Sequence, residues 1–92
     1  MAMIKHVVLD VLKPHLPNTL DFALALADQL ADSRVEVTVI EIDEQTDSLE
    51  VRIDSRAIDF DAVAEVITGL GASIHSVDKV AVVSDGFIPA SE

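Results

Sequence analysis

The sequence of 92 residues contains no cysteine, tryptophan or tyrosine, and three phenylalanines are its only large aromatic side chains. Without cysteine, disulfides and thiolate sites are excluded. The scarcity of aromatic rings removes the stacking surface that readers of single-stranded nucleic acid use. No apolar run approaches the ~20 residues that span a bilayer, and residues 1–5 lack a signal-peptide core. We therefore expect a cytoplasmic protein with an aliphatic core.

Basic residues are also scarce: six Lys and Arg stand against seventeen Asp and Glu, which gives a formal net charge of −11. Such a chain repels nucleic acid and anionic membranes, so we expect neither as a partner. Two interpretations of the acidic residues stay open. They form a solubilising surface suited to a halophilic cytoplasm, or some of them converge on Ca²⁺ or Mg²⁺, which prefer oxygen ligands.

Sequence motifs of catalysis and phosphate binding are missing. The chain has no GxGxxG, Walker, HExxH, CxxC or GxSxG pattern, and no nucleophile with an adjacent base is visible. The acidic turn at residues 43–48 lacks the glycine and the ligand spacing of a calcium loop. Composition and pattern alone therefore do not name a reaction.

Hydrophobic periodicity and turn residues predict six elements. Strands are indicated over residues 7–12, 34–42, 49–53 and 73–83, because these stretches are β-branched, apolar or alternating. Helices are predicted from Asn18 to about Ala31 and from Asp59 to about Leu70, with Asn18 and Asp59 as N-caps. The order β-α-β-β-α-β predicts a ferredoxin-like α+β sandwich, with a four-stranded antiparallel sheet and both helices on one face. We expect one domain over residues 1–92, with a core at 4–83 and a short tail at 84–92.

The first helix has an unusually wide apolar arc. Leu20 and Leu24 share its central stripe, and Phe22 and Leu26 extend the arc. Two interpretations stay open: Phe22 and Leu26 contact another subunit, or they border the domain's own core. Together with the uncovered sheet face, the arc predicts self-association. The candidate interface residues are Val8, Leu12, Phe22, Leu26, Phe87 and Ile88.

We predict one polar edge of the sheet, here called the rim. If the first and third strands run parallel at the centre and the fourth runs antiparallel beside the first, then residues 10–15, 54–56 and 74–78 meet at one end. The rim residues are Asp10, Lys13, His15, Asp54, Arg56, His75 and Ser76.

The rim is the one place where histidines, acids and bases are expected to coincide. A carboxylate beside an imidazole fixes its tautomer, which makes Asp10 and His75 the most suggestive pair. A divalent cation, Ca²⁺ or Mg²⁺, would take Asp10, His75 and Asp78 as ligands. Three interpretations stay open: cation or anion binding, acid–base catalysis by Asp10 and His75, and a purely structural role.

Several stretches resemble a known family, the small archaeal proteins grouped as domain of unknown function 211. The matching stretches are residues 8–15 (VLDVLKPH), 41–43 with Thr46, 57–60 (AIDF) and 71–80 (GASIHSVDKV). The resemblance implies a ferredoxin-like fold, an archaeal cytoplasmic origin and a ring-like homo-oligomer, and it implies no established activity. The sequence departs from the family in Lys79, where an acid is common, and in Ser84 and Asp85, where the tail is more basic.

The leading hypothesis is a non-enzymatic, self-associating domain that presents the rim to a small ligand or a divalent cation. The second hypothesis is a small-metabolite-sensing regulatory module that binds effectors between subunits. The third is an enzyme that uses Asp10 and His75.

Overall fold

The computed structural model describes residues 1–87, and the predicted order of elements is confirmed. The candidate interface residue Ile88 lies outside the described residues. The first three strands are longer than the periodicity predicts, the fourth has the predicted bounds, and the helices end earlier. The elements are β1 (Met3–Pro14), α1 (Thr19–Gln29), β2 (Ser33–Ile42), β3 (Thr46–Ser55), α2 (Phe60–Gly69) and β4 (Ser73–Val83).

The four strands form one antiparallel sheet in the order β2-β3-β1-β4, as the ferredoxin-like fold requires. The expectation that the first and third strands run parallel is wrong, since residues 6–14 of β1 pair antiparallel with residues 46–54 of β3. The reason is topological. A strand–helix–strand crossover makes β1 and β2 parallel, and the tight hairpin after β2 then reverses β3.

The helices begin at the predicted caps. The Asn18 side chain accepts a hydrogen bond from the Asp21 backbone N–H, and the Asp59 side chain accepts one from the Ala62 N–H. Gly71 follows α2 with φ +85°, a left-handed conformation that glycine adopts without steric cost. These signals are local, which is why the sequence locates them well.

One face of the sheet carries the core. Alternate residues of β1 and β3 point towards the helices, and α1 and α2 pack onto them to bury an aliphatic cluster. The fully buried members of the cluster are Val7, Leu9, Val11, Phe22, Leu26, Leu49, Val51, Ile53, Val63 and Ile67.

The interface predicted on α1 needs correction. Phe22 and Leu26 are both 0% exposed and lie in the core, whereas Leu20 and Leu24 are exposed. The helix therefore packs on the sheet through Phe22 and Leu26, which the periodicity placed at the edge of the apolar arc. The arc is too wide for periodicity alone to select the buried side, and the larger phenylalanine ring gains more from burial.

The uncovered face of the sheet is polar rather than aliphatic. Glu50, Arg52 and Asp54 of β3 point to it, and Arg52 Nε donates to Glu50 Oε2 at 3.1 Å. Val8 also lies on this face but is only 4% exposed, because it stands between Arg52 and Lys79 in the register. Long basic side chains cover apolar neighbours with their methylene stems. Val8 is thus a poor interface residue, while Leu12 is half-buried and Phe87 is exposed.

Exposed aliphatic side chains lie along the two edge strands instead. They are Val39, Ile40 and Ile42 on β2 and Val77, Val80 and Val82 on β4. Strands of 10 to 12 residues run for about 33–40 Å, but helices of 10 and 11 residues cover only about 16 Å. The helix layer is therefore too short to cover the whole sheet. No helix within residues 1–87 is long and apolar enough to cross a membrane.

Candidate functional site

The structure separates the seven predicted rim residues into three groups. Asp54 pairs with His6 near the start of β1, so Asp54 and the following Arg56 lie at the opposite end of the sheet from Lys13. Their placement at the rim is therefore wrong, and the cause is the mistaken parallel pairing of β1 with β3.

The end of β1 and the start of β4 do meet, as expected. Asp10 lies opposite Ser76, and the register shift between Asp10 and Val11 leaves His75 as the extra residue of a bulge. Ser76 Oγ donates to Asp78 Oδ1 at 2.7 Å. Asp10 and His75 are not joined by a hydrogen bond among the interactions found in residues 1–87, so the predicted catalytic pair is not formed here.

Strand alternation divides the remaining rim residues between two faces. Asp10 lies on the polar, uncovered face, whereas Lys13 shares the inward face of Val7, Leu9 and Val11. Across the part of the chain that the structure describes, no group of three or more His, Asp or Glu side chains is arranged to hold a metal ion. A site on Asp10, His75 and Asp78 is thus not preassembled in one chain.

The inward end of β1 forms a polar cluster joined by hydrogen bonds, and we call Lys13, His15 and Asp47 the lysine cluster. Lys13 is 0% exposed. Its Nζ donates to the backbone oxygens of Pro14 at 2.8 Å and Pro17 at 2.7 Å, and to Asp47 Oδ2 at 3.0 Å. The three protons of the ammonium group thereby have three close acceptors. Burial of the charge is tolerable because it is fully hydrogen-bonded and paired.

Asp47 connects the lysine to the histidine. Its Oδ1 is 2.8 Å from His15 Nδ1, and the His15 Nε2 is 2.8 Å from the backbone oxygen of Glu44. The ring thus bridges the loop at residues 15–18 to the turn at residues 43–45 between β2 and β3. One carboxylate serves two cationic partners from two different segments.

The cluster changes the acid–base properties of two groups. The hydrogen bond to the Glu44 carbonyl, followed by that to Asp47, raises the pKa of His15 above its ordinary 6.5. The hydrogen bond from Lys13 lowers the pKa of Asp47 below its ordinary 3.8, against the opposing effect of burial. Both shifts favour the charged forms, as expected for groups that make charge-assisted hydrogen bonds.

The sequence prediction does not include Asp47, because residues 43–48 have the composition of a turn. A usable signal was present. Asp47 has the same parity as Leu49, Val51 and Ile53, just as Lys13 has the parity of the buried β1 residues. With β1 and β3 antiparallel, Lys13 lies directly opposite Asp47. Two opposite charges at inward positions of paired strands predict a buried ion pair.

A second polar group occupies the opposite end of the sheet. His6 Nδ1 is 2.6 Å from Asp54 Oδ1, and Arg34 Nη1 is 3.8 Å from Asp54 Oδ2. An open cavity of about 1150 Å³ is found here, and its lining includes Lys5, Arg34 and Arg56, three of the six Lys and Arg residues in the chain. Asp32, Asp54 and Asp85 also line it, so the formal charges of the lining side chains balance.

Comparison with known proteins decides the family. The model of the DUF211 family, described as "Uncharacterized ArCR", matches residues 5–86. The chain belongs to the DUF211 family. An uncharacterised protein of the archaeon Methanocaldococcus jannaschii is 44% identical over 80 residues, which cover 87% of this chain and 82% of that protein. The resemblance to this archaeal family is thereby confirmed, and DUF211 membership brings no activity with it.

Proposed function

We propose that this DUF211 protein is a non-enzymatic, self-associating domain whose homo-oligomer presents a polar surface to a small ligand or a divalent cation. The observation that carries the proposal is the pair of apolar edges. Val77, Val80 and Val82 on β4 are each about half exposed, and Ile40 and Ile42 on β2 are more exposed still.

The edges are suited to a second copy of the same chain. In residues 1–87, β4 pairs with β1 on one side and β2 pairs with β3, and the outer edge of each has no strand beside it. Long apolar edge strands are normally shielded, because their free N–H and C=O groups pair readily with another strand. The edges of β2 and β4 differ in sequence and lie on opposite sides of the sheet. Contact between β2 of one copy and β4 of the next is therefore head-to-tail, and such contacts close into rings when the rotation permits.

A charge variant on β4 tests the self-association. Val80→Glu places a carboxylate at the centre of the β4 edge, and Leu24→Glu adds the same charge at a leucine of similar exposure on α1. We expect the wild type and Leu24→Glu to share one oligomeric mass in native mass spectrometry and light scattering. We expect Val80→Glu to dissociate.

A wild-type protein that is monomeric at micromolar concentration in high KCl would overturn the proposal. Equal dissociation by both variants would also contradict it, because added charge rather than loss of the β4 edge would then be the cause. Circular dichroism of each variant establishes that it remains folded.

The proposed ligand is a divalent cation at the outward part of the rim, where Asp10, Ser76 and Asp78 lie close in register. Carboxylate and hydroxyl oxygens suit Ca²⁺ or Mg²⁺. Calorimetry with each ion in high KCl distinguishes a specific site from diffuse acidity. We expect a saturable heat for the assembled wild type and its loss in Asp10→Asn, while Asp28→Asn, an acid-to-amide change on exposed α1, keeps it.

A second candidate function, a small-metabolite-sensing module, is favoured by the cavity beside Lys5, Arg34 and Arg56. Ligands that bind the folded state raise the melting temperature by mass action. A thermal-shift screen with amino acids and nucleotides tests this candidate. A shift that disappears in Arg56→Gln but persists in Arg52→Gln, on the uncovered face, would support it, and no shift with any compound would reject it.

A further inference from the structure

Both ring nitrogens of His15 face hydrogen-bond acceptors. Nδ1 is 2.8 Å from a carboxylate oxygen of Asp47, and Nε2 is 2.8 Å from the backbone oxygen of Glu44. A carbonyl oxygen has no proton to give, so Nε2 must be the donor of its hydrogen bond. Asp47 also bonds the Lys13 ammonium, which keeps the carboxylate ionised and makes it an acceptor as well.

A neutral imidazole cannot satisfy this arrangement. It carries one N–H donor and one lone pair, whereas the imidazolium carries two donors. Two acceptors therefore require the doubly protonated ring. When the ring loses a proton, one nitrogen presents a lone pair to an oxygen, and that contact becomes repulsive.

We propose that His15 forms a pH-dependent contact that holds the turn at residues 43–45 against the loop at residues 15–18. The imidazolium closes the contact, and the neutral ring opens it at the Glu44 side. The Asp47 carboxylate is a stronger acceptor than a neutral carbonyl, so the remaining proton stays on Nδ1. The Glu44 peptide is then the group released.

The surroundings of the ring favour its protonated form. The charged groups that act on the ring are Asp47 from β3 and Lys13 from β1, and they oppose each other. The turn contributes the Glu44 carbonyl. The His15 side chain is 45% exposed, so protons exchange freely with solvent. The raised pKa of His15 agrees with the geometry and moves the opening above the ordinary value of 6.5.

Release of the turn leaves the rest of the site intact. The backbone hydrogen bond from Asp43 N–H to the Thr46 oxygen closes the hairpin without the histidine. Lys13 keeps its bonds to Pro14, Pro17 and Asp47, since none of them involves the ring. The switch is thus local, and it does not depend on the proposed assembly.

Nuclear magnetic resonance of the wild-type protein between pH 5 and 9 tests the pH-dependent contact. Imidazole ¹⁵N shifts report the protonation of each ring nitrogen, and the carbonyl ¹³C shift of Glu44 reports whether its oxygen accepts a hydrogen bond. We expect the pKa of His15 to lie above 6.5, its neutral ring to keep the proton on Nδ1, and the Glu44 carbonyl shift to change over the same pH range.

Two glutamine variants distinguish the pH-dependent contact of His15 from general effects of pH. In His15→Gln the turn has no titrating partner, so the Glu44 carbonyl shift becomes independent of pH over this range. In His75→Gln, which removes an exposed histidine on β4, the wild-type dependence persists. A neutral His15 protonated on Nε2, a His15 pKa at or below 6.5, or a Glu44 carbonyl shift that does not change with pH would each overturn the proposal.

Discussion

At the scale of single residues, the lysine cluster shows how a charge is retained inside a small aliphatic core. Lys13 takes an inward position of β1 where the pattern would otherwise place another valine, and Asp47 takes the facing position of β3. A buried ammonium is stable only while its partners remain. The backbone oxygens of Pro14 and Pro17 accept hydrogen bonds from Lys13 in addition to Asp47. These two bonds also hold the loop at residues 15–18 against the end of β1.

Replacement of Lys13 measures how much the lysine cluster contributes to the free energy of unfolding. Lys13→Met keeps the length of the side chain but leaves the Asp47 charge without its buried cation and two carbonyls without a donor. Removing one member of a buried ion pair costs about 3–5 kcal/mol, and we expect a loss of that size in the free energy of unfolding. Urea unfolding at a fixed protein concentration measures it.

Lys79→Met is the matched control, because Lys79 is exposed on β4. Exposed substitutions usually change stability by less than about 0.5 kcal/mol. A comparably small effect of Lys13→Met would mean that the buried charge is compensated by water or repacking instead of Asp47.

The opposite pKa shifts of His15 and Asp47 predict a pH window for the cluster. Folding raises the pKa of His15, so its contribution is fully present below 6.5 and is lost as the pH rises through the folded value. Folding lowers the pKa of Asp47, so its contribution is present above 3.8 and is lost as the pH falls through the folded value. The full contribution therefore lies between about pH 3.8 and 6.5.

The difference in unfolding free energy between wild type and His15→Gln isolates the histidine part of this window. We expect the advantage of the wild type to be constant from pH 5 to 6.5 and to decline above it. The parallel difference for Leu24→Ala, a change at an exposed residue that does not titrate, should stay flat. An advantage that grows from pH 6.5 to 9 would have the wrong sign and would show that the neutral ring is the stabilising form.

At the scale of elements, the sequence predicts existence and order better than orientation. The caps Asn18 and Asp59 and the alternation in β2 and β3 are local signals, and the elements they predict are present. The buried side of α1 and the direction of β3 relative to β1 depend on contacts between distant residues. The direction of β3 nevertheless follows from connectivity, and applying that rule to Lys13 and Asp47 would have predicted their pairing.

Paired alanine substitutions test the orientation of α1. Phe22→Ala removes a ring that is 0% exposed, and we expect a loss of about 3–5 kcal/mol in unfolding free energy. Leu24→Ala shortens a side chain that is 55% exposed, and we expect a much smaller effect on the stability of the single chain. Equal losses would show that Leu24 is also buried in solution, as it would be if α1 formed part of an interface.

At the scale of the whole molecule, two properties oppose each other. The exposed aliphatic side chains of the β2 and β4 edges favour association, but every copy carries a formal charge of −11 and repels the next. The uncovered face carries charges of both signs, which partly cancel. The repulsion between copies therefore comes from the excess of acidic over basic residues in the chain. Association therefore depends on how well the solution screens that surplus.

This balance predicts that salt strengthens the proposed oligomer. At low ionic strength the Debye length is about 30 Å, comparable with the molecule, and it falls to about 3 Å at 1 M salt. We expect sedimentation velocity to show smaller species in 10 mM KCl and the full assembly in 1 M KCl. KCl and NaCl should act alike at equal ionic strength, because screening does not depend on which cation supplies it. Dissociation in 1 M KCl would mean that ion pairs between copies, rather than the apolar edges, hold the assembly together.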